Sequence, residues 1–440
     1  MASGVQSAQD LVKGLRVSQA TVSRQIAELG SRVERIGRGP SSRYALRRSI
    51  RGAGTTWPVY RQEPSGRILV FGWLSALYGG FRFQFESGSV PVWIPREFAR
   101  SGLFPGLPFF LQEIRPQGFL GRLIARNCAG TLMLPLDIQN WSDEDALIYF
   151  LSRGDDLPGD LFVGDATAQR VLEHQAQLSP IASEGRISGY MRFAADAERG
   201  DVVGSSAGGE QPKFAAVIRE VSGGLRHVLV KFTAAESSVV SERWRDLLVC
   251  EHLALQALQT FLGVDVCESS VYDHGGRRFL EVTRFDRVGA TGRRGVLSLG
   301  SILDANAFAI EGEQWGDVAQ AMSAAGLLDA IDVKTVRTIW CFGQCIGNND
   351  MHRGNFAFLT HDEGPFRLAP VYDMLPMVYA PARQGNIPTQ VFHHPVPVPR
   401  FQSEWDQAMG AAGEFWQRVR DEPLISSGFR EIAAQIVEGF

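Results

Sequence analysis

The chain is poor in cysteine and has no cysteine pair at useful spacing. Cys128, Cys250, Cys267, Cys341 and Cys345 are odd in number and scattered, with no C-x-x-C. This argues against a disulfide framework and suits a reducing cytosol. Cys341 and Cys345, four apart in a helix-like stretch, read as core residues. Long apolar runs are lacking too. The stretch ILVFGWLSALYGGF, residues 68–81, lies between Arg67 and Arg82 and falls short of the ~20 apolar residues that span a bilayer. Its glycines and aromatics suit buried strands. The start, MASGVQSAQDLVKG, has no apolar signal-peptide core, so a cytoplasmic location without membrane partners is expected. Net charge is only −4, which gives no global attraction to nucleic acid or membrane. With 440 residues, 45% hydrophobic and 21% charged, the chain exceeds one ordinary core and predicts a soluble protein of two or three domains.

Charge is distributed unevenly. Residues 1–51 hold ten Lys and Arg against Asp10, Glu28 and Glu34, the asymmetry of a nucleic-acid-binding appendage. SAQDLVKGL predicts a short helix with Leu11 and Val12 inward and a turn beginning at Gly14. SQATVSRQIAELG predicts a second helix, capped by Ser18, with Val22, Ile26 and Leu29 on one face and a stop at Gly30. RVERIGRGPSSRYALRR then alternates through a Gly-Pro-Ser turn like a basic two-stranded wing. The order resembles a winged helix-turn-helix. Thr21, Arg24 and Gln25 would probe a DNA groove, and Arg38 and Arg43 would hold phosphate. The alternative is a small helical protein-docking module. RGAGTTWP, residues 51–58, forms a joint.

From residue 59 to about 140, RILVFGW, FRFQFESG and VPVWIP read as strands, and no residue pattern there carries chemistry. WSDEDALIYFLSRGDDLPGD contains a helix capped by Ser142. The segment GDVVGSSAGGEQPKFAAVIRE, residues 200–220, offers Gly204, Gly208 and Gly209 for a loop whose amides turn toward an anion. Glu210 stands where a Walker A loop needs Lys-Ser/Thr. Gly204, Ser206 and Gly208 match the hydrolase elbow G-x-S-x-G, but EQPKFAAVI predicts a strand where that elbow needs a helix. In RHVLVKFT, Lys231 sits between Val230 and Phe232. It either meets an anion or points to solvent from an edge. The helix SERWRDLLVCEHLALQALQTFLG brings Glu251 as its candidate partner, with Glu242 as the alternative.

The decisive spacing lies in NNDMHRGNFAF, residues 348–358. A long helical pattern ends at Gly347, and FAFLT, HDEG and FRLAPVYD then form a hairpin that returns Asp373 beside Asn355. Asp350 to Asn355 is D-x-x-x-x-N, the spacing of a kinase catalytic loop, and a further aspartate follows 18 residues after Asn355. Asp350 would take the proton of a hydroxyl nucleophile. Asn355 and Asp373 supply the hard oxygens that suit Mg²⁺, and Lys231 would neutralise phosphate.

SAGGEQPKF, VKF, VTRFDR, NNDMHRGNF and PVYDMLP resemble the HipA-type serine/threonine kinases of bacterial toxin–antitoxin systems, over roughly residues 59–440. The resemblance implies an α+β, two-lobed kinase fold with an atypical N-lobe and a helical C-lobe. It implies an ATP-binding phosphate loop from Gly208 to Lys213 (Gly208, Gly209, Glu210, Gln211, Pro212, Lys213) and an adenine hinge at Thr283, Arg284 and Phe285. Further nucleotide contacts would come from His352, Arg353, Gly354 and Tyr372. It also implies autophosphorylation just before the loop, at Ser206 with Ser205 as rival, and control by a HipB-like antitoxin. The general kinase HRD is NND here, and no glycine follows Asp373. The fused basic module is extra, since such toxins usually borrow DNA binding from HipB. The expected organisation is a winged helix-turn-helix at 1–51, a HipA-type subdomain at 59–150, an N-lobe at 151–282 and a helical C-lobe at 283–440. The competing reading is a DNA-binding regulator whose kinase-like part only senses a ligand.

Overall fold

The computed structural model describes residues 4–86, 90–200, 211–304, 310, 312, 314–382 and 384–440. At the amino terminus Ser7 and Asp10 form a reciprocal cap for the helix Ala8–Leu15, satisfying two otherwise orphan donors. Gly14 remains inside this helix. The turn falls instead on Arg16, which takes a left-handed backbone (φ 54°). Ser18 caps Gln19–Leu29, and Gly30 ends it at φ 51°. Strands Val33–Ile36 and Arg43–Leu46 pair in antiparallel fashion, and Gln6–Ser7 adds on the far side of Arg43–Leu46.

This unit is bolted to the middle segment of the chain. Ile36, Ala45 and Leu77 share a small core. Backbone bonds run from Arg48 N–H to the Ala76 carbonyl (3.0 Å) and from Tyr78 N–H to the Leu46 carbonyl (3.0 Å). Glu34 is buried between Arg47 and Arg82, Arg48 pairs with Glu144, and Arg51 with Asp145.

The middle segment is built on a five-stranded antiparallel sheet in the order 103–104, 80–85, 68–77, 56–62, 161–163. Phe71, Phe83, Phe85, Trp93 and Phe110 interlock edge-to-face and offset on it, the arrangement that ring quadrupoles favour. VPVWIP is not a strand. Pro91 and Pro95 lack the N–H a ladder needs, and residues 90–95 form a turn that buries Trp93 and Ile94. The boundary expected at residue 150 also moves. The helix Asp143–Arg153 runs through it, and Leu161–Val163 pairs with Val59–Arg61 in the same sheet before the helix Asp165–Ala176.

A second antiparallel sheet has four strands in the order 269–274, 277–283, 225–232, 213–219. Strand periodicity splits its faces. Phe214, Val228, Val230, Phe232 and Phe279 pack on the helix Arg186–Arg199 through Tyr190, Ala194 and Ala197. Lys213, Leu229, Lys231 and Val282 face the other way, into a cavity. Behind it the helix Val239–Leu262 joins Trp315–Ala324, Ala330–Ile346, Gln402–Asp421 and Ser427–Val437 in a helical core holding Leu255, Phe342, Phe415, Trp416 and Phe429. Each such fully buried side chain contributes roughly 1.5–3 kcal/mol. Cys250, Cys267, Cys341 and Cys345 are buried and unpaired. Among the described residues no helix is long and apolar enough to cross a membrane.

Candidate active site

Lys231 lies on an interior strand, flanked by 277–283 and 213–219, so it is not an edge lysine. It is 4% exposed. Its Nζ donates to both carboxylate oxygens of Glu251 at 2.7 Å and also meets Asp373. Glu251 is itself wholly buried on the helix Val239–Leu262, while Glu242 is exposed. Burial works against the Lys231 charge, but Asp373 and Glu251 outweigh it and hold the ammonium above its usual range. Burial likewise opposes the Asp373 charge, yet Lys231 and Lys213 keep that carboxyl below the usual carboxylate range. The three groups form one charged unit.

The loop beside it is shaped by its own polar groups. Gly347 ends the helix Ala330–Ile346 at φ 79°, where a Cβ would meet Val378 at 2.8 Å. Asn348 is buried. Its carbonyl oxygen accepts the Asp350 N–H (3.1 Å), and its amide reaches the Asp373 carbonyl (3.5 Å). The Asp350 carbonyl accepts the His352 N–H (2.9 Å) and the Asn355 amide (2.9 Å). His352 Nδ1 accepts the Gly354 N–H (3.0 Å), so this imidazole structures the loop. The strand Ala357–Thr360 leaves the loop, pairing with Gly295–Ser298 on one side and Arg367–Leu368 on the other. Tyr372 then stacks on Phe285, with ring centroids 5.6 Å apart, and donates to the Gly354 carbonyl at 3.0 Å. Asp373 adopts φ 53°, a strained geometry for a non-glycine residue, of the kind that clusters at functional sites.

These elements surround a cavity of about 230 Å³. Its wall includes Lys213, Lys231, Thr283, Arg284, Phe285, His352, Gly354, Asn355, Tyr372 and Asp373, all expected there from the sequence. Lys213 is buried, directly opposite Lys231 in the strand register. The Pro212 carbonyl accepts the Phe232 N–H, which pins the start of that strand. The Thr283 hydroxyl accepts from Arg226 (2.8 Å), and Arg284 is held by Asp286. Asp350 is exposed and outside the cavity wall, as is Arg353, which lies against Gly300. Ser205, Ser206, Gly208, Gly209 and Glu210 lie outside the described residues. At the amino-terminal unit Arg24, Gln25, Arg38 and Arg43 are exposed, and Thr21 is half-buried with its hydroxyl 2.9 Å from that of Ser18.

Three features were not anticipated. Asn348 ties Asp350 to Asp373, and nothing in its polarity revealed its burial. Glu281 is fully buried just before Thr283–Phe285 in the chain, accepting from Tyr190 and Arg226 at 2.5 Å each. Its place in the apolar run FLEV was a readable signal, of the kind that singled out Lys231. The third is a group from the middle segment, Glu113, Arg115 and Gln117, in the cavity wall.

Residues 53–172 match the middle domain of YjjJ-like toxins, and residues 205–439 match the HipA-like C-terminal domain. Toxin YjjJ of Escherichia coli (strain K12) is 38% identical over 438 residues, covering 99% of this chain and 95% of that protein. Among solved structures, the HipA, HipB and operator DNA complex of Shewanella oneidensis MR-1 aligns with a TM-score of 0.53 at 14% identity, over 87% of this chain and 96% of the matched one. The Helicobacter pylori proinflammatory kinase CtkA covers 52% of this chain and 87% of its own, with a TM-score of 0.35 at 13% identity, too slight a likeness to build on. The fold is thus of the HipA kind. The chain belongs to the HipA-like toxins of the YjjJ type.

Proposed function

We propose that this toxin is an ATP-dependent serine/threonine protein kinase that works in the cytoplasm, with a DNA-binding module fused at its amino terminus. The observation that carries this reading is one cavity joining Lys231, Glu251 and Asp373 to the loop of Asp350 and Asn355. In it, Lys231 and Lys213 neutralise the phosphates of ATP, while Thr283, Arg284, Phe285 and Tyr372 flank the base. The acceptor hydroxyl gives its proton to Asp350, and its oxygen forms the new bond to the phosphoryl group as the bond to ADP breaks. Asp350 suits this role because it is exposed, on the same loop as the wall residue Asn355, where a protein substrate can reach it. Mg²⁺ would be held by Asp373 and by the Asn355 carbonyl oxygen. The Asn355 amide nitrogen is already committed to the Asp350 carbonyl, so its oxygen is the group left to serve a hard cation. When bound, the ion supplies charge neutralisation at the phosphates.

The amino-terminal unit supports DNA binding by its exposed cations on a helix and wing. Glu34, its one buried acid, is spent on the joint. A HipB-like antitoxin is the expected regulatory partner. Incubation with Mg²⁺ and ATP followed by mass spectrometry tests the kinase reading and its switch together. Phosphate should appear on Ser206, and Ser206→Ala should abolish it and leave the kinase persistently active. Phosphate at Ser205 or elsewhere removes Ser206 from that role. If ATP does not bind and the chain still shifts DNA, the toxin is a ligand-sensing regulator instead.

A further inference from the structure

The cavity wall is not made by the HipA-like part alone. Glu113 belongs to the YjjJ-type middle segment and follows the short helix Phe109–Gln112. Leu111 and Ile114, at 0% and 2% exposure, clamp it on either side. Arg115 beyond it is anchored by Gln112, Asp143 and the Trp141 carbonyl, so the backbone here has little freedom. Glu113 Oε2 accepts both the Ser298 N–H (2.8 Å) and the Ser298 hydroxyl (2.7 Å). Oε1 has no hydrogen-bond partner among the described residues, and Glu113 shares one cavity with Lys231, Phe285, Tyr372 and Asp373. The Tyr372 hydroxyl does not serve it, being given to the Gly354 carbonyl.

A rigid carboxylate with one oxygen to spare needs a donor. A nucleoside triphosphate has few. Its phosphates only accept at neutral pH, would be repelled by Glu113, and have Lys213 and Lys231 to meet them. Its donors are the amine of the base and the two ribose hydroxyls. The base belongs against Thr283, Arg284 and the stacked Phe285 and Tyr372 rings, which leaves the ribose hydroxyls as the donors for Glu113. We infer that Glu113 is a nucleotide-binding residue contributed by the middle segment, its free carboxylate oxygen accepting hydrogen bonds from the ribose hydroxyls. The inference rests on the ATP-binding reading above. It makes the middle segment part of the active site, selecting ribonucleotides over deoxyribonucleotides.

Calorimetric titration of the full chain with Mg²⁺ and ATP, 2′-deoxy-ATP or 3′-deoxy-ATP tests it. Hydrogen bonds to charged groups predict that the wild type binds ATP about tenfold or more tightly than at least one deoxy analogue. Glu113→Ala should bring that ratio close to one. Ser298→Ala, which leaves the carboxylate in place, should keep it, and Glu113→Gln, which retains an oxygen without the charge, should give an intermediate ratio. Equal affinities in the wild type, or an unchanged ratio in Glu113→Ala, would overturn the inference while leaving ATP binding intact. A ratio lost equally in Ser298→Ala would overturn it as well, making Glu113 a wall support. Absence of ATP binding to the wild type would bring down the kinase reading and this inference together.

Discussion

The amino-terminal module and the cavity place charged side chains in opposite surroundings. Arg24, Arg38 and Arg43 stand in solvent, while Lys231, Glu251 and Asp373 are locked together in a crevice. Solvated cations are independent of one another, screened by salt, and nearly irrelevant to folding. Buried charges are interdependent, because removing one strands the others away from water. Sequence counts treat the two groups alike. Their environments assign one to long-range attraction and the other to a fixed constellation.

That contrast can be broken from either side. Lys231→Met should have the largest effect on stability, about 3–5 kcal/mol, since it leaves Glu251 buried without its cation. Chemical denaturation measures this, and a loss below about 1 kcal/mol would mean the unit is not interdependent. Proton linkage comes next. Burial, together with nearby Arg287 and Arg284, pushes His227 down to about 4, and its carbonyl accepts the Arg284 N–H. The folded protein thus holds His227 neutral where the unfolded chain protonates it. Stability should fall as pH drops from about 6.5 toward about 4, by about 1 kcal/mol per unit. His227→Gln should flatten that part of the profile in thermal melts. The smallest effect on stability belongs to the module. Arg24→Ala, Arg38→Ala and Arg43→Ala should each change it by less than about 0.5 kcal/mol. Each substitution that removes a cation from a DNA phosphate should lower the salt slope of DNA binding by about 1. Titrations at several salt concentrations would show an unchanged slope if the module is a protein-docking unit.

The same contrast explains what could be read from sequence. The helix Gln19–Leu29 was legible because its cap, face and stop are local, as was the strand starting at Lys213. That Asp350 and Asn355 share one loop was legible because their D-x-x-x-x-N spacing is local, five residues apart on one turn of chain. Lys231 was only half legible. Whether its strand is interior or at an edge depends on which strands flank it, and that is set by partners remote in sequence. Glu113 could not be found, since its meaning comes from Ser298, and nothing in LQEIRPQ foretells that meeting. The strand expected at VPVWIP failed because apolar content outweighed its prolines. The boundary expected at residue 150 failed because one short strand, Leu161–Val163, returns to the first sheet.

The central claim is that the cavity and its loop transfer phosphate. Incorporation of label from radiolabelled ATP by the wild type and by Asp350→Asn, with ATP affinity measured in parallel, tests it most directly. Loss of a general base is worth roughly 10²–10⁴ in rate. The account predicts labelling by the wild type and at least about a hundredfold less by Asp350→Asn, with ATP affinity changed only slightly. Equal labelling by both, or no labelling by a wild type that binds ATP, would contradict it.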